Sequence, residues 1–219
     1  MSRYRDSDAE KIKTRRWEDI RSEWRNYVPY RESPWPVPEL EVFELTTVEE
    51  YLKHLGGPHG NDSTIDEEIL ELRRAALHES VILVHKAGNV LRAAAEEGGR
   101  GFRTWSRSSA YHAAFFAMRG VLGLLGVLVF RGRDRQSEYQ VDLWAPRASK
   151  KKPGPTESQF AVRIIRRRPV EHKGMWGLFS RVLRVTKIDD AIWPLLGKDP
   201  LKATDPGLFS YVRHEIHYR

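Results

Sequence analysis

Cysteine is absent from all 219 residues, which rules out a disulfide framework, a thiolate metal site and a cysteine nucleophile. Any zinc site would have to be built from histidine and carboxylates alone. Long apolar runs are scarce as well. The longest, "VLGLLGVLVF" from Val121 to Phe130, is about half the length of a membrane span, and extending it backwards meets Arg119 and His112. The opening stretch, "MSRYRDSDAEKIKTRRWEDIRSEW", is charged throughout and has no secretory pattern. The expectation is a soluble, cytoplasmic protein with no membrane partner. "GLLGV" has neither the lysine of a phosphate-binding loop nor the G-x-G-x-x-G order. With no G-x-S-x-G, H-E-x-x-H or paired-carboxylate pattern, the hydrolase, kinase and zinc-protease classes have no support. No cofactor, metal or internal repeat is expected.

Against these absences stand the means to bury a core. The chain is 40% hydrophobic, with seven Trp, eight Tyr and eight Phe, too many for wholesale disorder. Its net charge of +7 is unevenly spread. Between Arg131 and Arg168 lie eleven Lys and Arg against Asp134, Glu138, Asp142 and Glu157, so this segment alone carries the excess. A basic block of this kind points to a polyanion, most often nucleic acid, although a solvated surface has the same composition. Arginine outnumbers lysine 26 to 11, which favours phosphate or base contacts because the guanidinium fork binds them bidentately.

Periodicity predicts a mainly α protein. Asp8 to about Val28 reads as a helix with Trp17, Ile20, Trp24 and Val28 on one stripe, broken by the prolines of "ESPWPVPEL". "LEVFEL" suggests a short strand, Thr47 begins a short helix, and "GGPHGNDS" reads as a loop. Asp66 to about Glu97 carries apolar pairs every seven residues and predicts a long helix stopped by "EEGGRG". A second helix, "AYHAAFFAMRGVLGLLGV", is apolar on nearly every face and should be the most buried, with Ser106 or Ser108 as its cap. Gly120, Gly123 and Gly126 would allow close packing or fray its end. "GVLVF", "RGRDRQ" and "SEYQVDLWA" predict a β-hairpin with a basic tip, followed by the flexible, basic "PRASKKKPGPTES". "SQFAVRIIRRR" fits strand or helix, and "EHKGMWGLFSRVLRV" an amphipathic helix. Asp205-Pro206 has the form of a helix start. The expected organisation is an N-terminal helical extension and Pro-rich linker over residues 1–60, then a helical bundle over 61–219 with a basic insertion at about 127–171.

The final segment, "FSYVRHEIHYR", has Phe209, Val212 and Ile216 on one stripe with Arg213 and His217 beside it, one turn apart. Such a pair can work on a phosphodiester, the histidine exchanging a proton and the guanidinium neutralising phosphoryl charge. It can equally decorate the edge of an amphipathic helix. Spacing alone is weak, since Arg73/His78, Arg107/His112 and Arg167/His172 each place an arginine five residues before a histidine. His78 and His85 lie two turns, about 10.5 Å, apart and cannot share one metal. His112 and Arg119 interrupt an otherwise apolar helix, where a charge must be paired or face a cleft.

"SSAYHAAFFAMRGVLGLLGV" resembles the signature helix of HEPN domains, with a Ser-x-x-Tyr-x-x-x-Phe-like start followed by an apolar run ending near glycine. The resemblance spans about Asp66 to Arg219 and implies a helical bundle that often dimerises. It also implies metal-independent RNase activity, as in toxin–antitoxin, abortive-infection and CRISPR-linked defence systems, although some members only bind nucleic acid or nucleotides. The family's catalytic arginine, polar residue and histidine correspond to Arg213, His214 and His217, with three intervening residues between Arg213 and His217 where the family has at least four. Tyr111, His112 and Arg119 would support that site. The resemblance further implies RNA as partner, with DNA as the other polymer to test, a homodimer, and an antitoxin or larger defence complex. Arg131, Arg133, Arg135, Lys150, Lys151, Lys152, Arg166, Arg167 and Arg168 are the expected backbone contacts. The alternative function is a non-catalytic nucleic-acid-binding or assembly module that uses the basic insertion.

Overall fold

Glycines end the longest helix, and the next helix returns along it. The computed structural model describes residues 16–27, 62–65, 70–131, 138–146, 160–167 and 172–188. The elements are α1 (Trp17–Tyr27), β1 (Asp62–Ile65), α2 (Leu70–Gly99), α3 (Arg103–Leu124), β2 (Val127–Arg131), β3 (Glu138–Pro146), β4 (Phe160–Arg167) and α4 (His172–Thr186). Helices account for most of the described residues. None of them is long and apolar enough to cross a membrane.

Gly101 adopts a φ of 87° between α2 and α3, a left-handed conformation that glycine reaches without a Cβ clash. The Phe102 N–H closes the turn onto the Glu97 carbonyl at 2.9 Å. Neither serine expected as a cap acts as one. Phe102 is the N-cap and offers no side-chain acceptor, while the Ser106 hydroxyl donates to the Ala94 carbonyl of α2 at 2.7 Å. Ser106 therefore fastens the two helices together near the turn. Towards the other end, a Cβ on Gly120 would lie 2.8 Å from Val84 Cγ2 and 3.0 Å from the Ser80 carbonyl, and one on Gly123 would collide with Ser80 Oγ. These two glycines let the antiparallel backbones approach, as their spacing suggested.

Gly126 has a different task. Its φ of 80° ends α3 and turns the chain into β2, and a Cβ there would run into the Trp144 ring. The strands form one antiparallel sheet in the order β1-β4-β3-β2, with a register shift in the β3–β4 pairing between Asp142 and Ala145. "FAVRIIRR", which fitted strand or helix, is β4. Asp62 and Ser63, expected in a loop, belong to β1 and cover the edge of β4, pairing with Ile165 and Ile164.

The hairpin expected as a basic insertion is also built into the core. Val127, Val141, Leu143 and Trp144 are fully buried. One apolar cluster joins Ile20 and Trp24 of α1 and Leu72 and Ala76 of α2 to Trp144, Phe160 and Ile164 of the sheet. The other joins Met118 and Leu122 of α3 to Trp176, Val182 and Leu183 of α4. Helix α1, from the segment expected as an extension, is anchored by its stripe and by the Trp24 indole, which donates to the Leu124 carbonyl at 2.6 Å. The stretch read as "LEVFEL", the helix expected from Thr47 and the helix start at Asp205-Pro206 lie outside the described residues.

Candidate nucleic-acid interface

Sheet register decides which of the basic residues meet. Arg131 pairs with Glu138, and Glu138 pairs with Arg167, so β2 and β4 place an arginine position on either side of one glutamate at the same end of the sheet. Arg166 sits opposite Tyr139, one residue further in. At the other end of β3, Pro146 pairs with Phe160, where the segment carrying Lys150, Lys151 and Lys152 leaves and re-enters the sheet. At 3.3 Å per residue, the nine residues of β3 separate these ends by about 26 Å. The basic block is therefore anchored in two places. Arg133, Arg135, Lys150 to Lys152 and Arg168 themselves lie outside the described residues, as do Arg213, His214 and His217.

Near this end, β2 is tied to the last two turns of α3. Arg119 donates from Nη2 to the Val129 carbonyl at 3.4 Å, which draws β2 back along α3 towards Arg131, two residues further on. Arg119 is half-buried and lines a small cavity with Glu79, Leu83, Leu122, Val129 and Met175. Glu79, a carboxylate of α2, lines the same cavity, so a charged group of opposite sign and a strand carbonyl both lie close to this cation in an apolar helix.

Five residues after Arg167, His172 opens α4. Its Nδ1 is hydrogen-bonded to the Tyr111 hydroxyl at 2.8 Å, with the donor set by the imidazole tautomer. The same ring stacks on Phe115, with centroids 4.3 Å apart and planes 15° apart. Tyr111 is buried, whereas His112 beside it is exposed and meets the Tyr111 ring edge-on at 5.9 Å. Tyr111 therefore ties the first turn of α4 to α3, and His112 presents its ring to solvent. Among the described residues no cluster of three His, Asp or Glu could hold a metal.

His172 was missed in the sequence because its spacing from Arg167 looked like one coincidence among several. A more useful signal was present: from Gly98 to Arg133 there is no Asp or Glu, against Arg100, Arg103, Arg107, Arg119, Arg131 and Arg133. That stretch runs through the helix turn, α3 and β2, so its charge pattern crosses element boundaries. The side chains near its start are exposed, with Phe102 at 57% and Trp105 at 69%. Large exposed aromatics among arginines mark an interaction surface more often than a core. Comparison with family models, curated proteins and solved structures finds no match for this chain.

Proposed function

We propose that the chain binds RNA and cleaves it without a metal, as a HEPN-like helical toxin or defence protein. The observation that supports this reading best is the register that sets the Arg131 and Arg167 positions on either side of Glu138 at one end of the sheet, two residues beyond the Val129 carbonyl that Arg119 engages. Arginines clustered in this way attract a phosphate backbone, and the affinity they give falls steeply with salt. In the HEPN reading the RNA 2′-OH attacks the adjacent phosphate and the P–O5′ bond breaks, leaving a 2′,3′-cyclic phosphate and a 5′-oxygen that takes up a proton as the 5′-OH. His217 moves the proton, His214 fills the polar position, and Arg213 neutralises charge on the phosphoryl oxygens. A homodimer would set two such pairs over one RNA cleft, and an antitoxin or a larger defence complex would restrain them.

A second reading has its own support. Tyr111 and His172 bond to each other, and Arg119 is engaged with a strand carbonyl, as expected of groups that hold a binding surface in shape. In that case the chain binds nucleic acid or assembles on it without cutting it. One assay separates the two. Labelled RNA is incubated with the protein in EDTA, beside Arg213→Ala and His217→Ala. Cleavage by wild type that both substitutions abolish supports the nuclease, and cleavage that survives both overturns the proposed site. Salt-sensitive binding without cleavage favours the second reading, and equal competition by DNA removes the preference for RNA.

A further inference from the structure

Helix α3 carries a column of side chains in which two rings, Trp105 and Phe116, have no part in the reaction sketched above and alternate with His112 and Arg119. Trp105, His112, Phe116 and Arg119 are spaced by seven, four and three residues, which places them within about 60° of one another around the helix at 100° per residue. The column is about 21 Å long at 1.5 Å per residue. It opens on the most exposed large apolar side chain of the described residues, Trp105 at 69%, with Phe102 one turn before it at 57%. His112 is exposed. Phe116 holds the ammonium of Lys86, from α2, 4.3 Å from its ring centre. Arg119 closes the column where β2 leads on to Arg131. Exposed Arg100, Arg103 and Arg107 surround its start, and neither the turn nor α3 contributes a carboxylate.

From this arrangement we infer that α3 is a stacking track for single-stranded RNA. Unpaired bases lie on Phe102, Trp105 and His112, and phosphates meet Lys86, Arg119 and the arginines of the turn. The inference rests on the RNA-binding reading and narrows it to one substrate class. Rings bind bases of any sequence through their π faces, but only where the bases are not already stacked in a duplex. Charge decides for nucleic acid over an uncharged apolar partner. The spread of rings and cations along two turns and more of helix fits an extended strand better than a bilayer, which would take the rings on one immersed tip.

The test compares binding of a labelled oligouridine with binding of the same strand annealed to oligoadenine, for wild type, Trp105→Ala and Trp105→Phe, by fluorescence anisotropy. The expected result is a wild-type preference for the single strand. Trp105→Ala should lose roughly 5- to 100-fold in affinity for it, the range for one lost base stack. Trp105→Phe should retain most of that affinity, and duplex binding should be the same in all three. If Trp105→Ala binds oligouridine as wild type does while salt-sensitive RNA binding persists, the track is wrong and the RNA reading stands. If wild type binds neither RNA, both fall. Trp105-dependent binding to phosphatidylglycerol-containing vesicles that oligouridine does not compete away would overturn the track in favour of a membrane surface.

Discussion

Two arginines in neighbouring helices show how differently one side chain can be used. Arg73 of α2 is fully buried and donates from Nη2 to the Leu143 carbonyl at 3.3 Å and the Phe160 carbonyl at 3.2 Å. Its guanidinium lies 4.3 Å from the centre of the Trp144 ring, which also meets Trp24 edge-on at 5.0 Å. Arg119 of α3 likewise donates to a strand carbonyl, that of Val129, but is half-buried and lines a cavity. Arg73 is sealed where β3 and β4 slip register, and it stabilises a place where regular strand pairing fails. Arg119 is only partly enclosed, its residue half-buried at the edge of that cavity. A cation among apolar residues is structural when carbonyls and rings enclose it, and available for a ligand when one side stays open.

Substitutions can break this contrast or sharpen it, and the largest effect should come from Arg73. Arg73→Ala withdraws the donor from two strand carbonyls and removes the packing on Trp144, so it should destabilise by about 3 kcal/mol or more, read as a lower denaturation midpoint. If Arg73→Ala melts like wild type, the sealed arginine is not structural. Next comes Gly123→Ala, which forces a methyl against Ser80 Oγ and should destabilise by about 1–3 kcal/mol. Adding Ser80→Ala should recover part of that loss, because it removes the colliding hydroxyl, and a double-mutant cycle measures the coupling.

Arg119→Ala should change stability by less than about 1 kcal/mol, the scale of one lost hydrogen bond, yet weaken RNA binding across sequences and reduce the salt slope by roughly one. The reverse pattern, a large fall in melting temperature with unchanged binding, would make Arg119 a second Arg73. Trp105→Ala should leave stability within about 0.5 kcal/mol, as for an exposed position, so its loss of single-strand affinity can be read without correction.

Much of this contrast was hidden in the sequence. Apolar periodicity marks the inward side of α2 at Ala76, but Val84 and Leu91 of the same seven-residue pattern are exposed, and a polar residue near that side can end in the core or at its edge. Arg73 became a core residue only because the irregular strand pairing offered it carbonyls from two different strands. The ambiguity at "FAVRIIRR" had a similar origin, since Phe160, Val162, Ile164 and Ile165 suit both periods and only pairing with β1 and β3 decides. The serines before "AYHAAFF" looked like caps because serine often is one, yet Ser106 found a better acceptor across the helix pair. Glycine was more legible. Gly120, Gly123 and Gly126 implied close approach or a helix end, and they do both.

Of the candidate site, His112 and Arg119 stand out as interruptions in an apolar helix, Tyr111 through the HEPN resemblance, and the arginines of β2 and β4 as a charge block. That the Arg131 and Arg167 positions flank Glu138 at one end of the sheet depends on strand register, which charge counts do not contain. His172 meets Tyr111 and Phe115 through α4 packing on α3, a tertiary fact with no local signal.

The central claim is that α3 and the Arg131/Arg167 end of the sheet meet RNA. Photocrosslinking tests it most directly, using a single-stranded RNA with 4-thiouridine along its length and mapping the modified peptides. The account predicts crosslinks within residues 100–119, concentrated at Phe102, Trp105 and His112, and lost when excess unlabelled strand is added. Crosslinks confined to residues 147–159, the segment between β3 and β4, would contradict it.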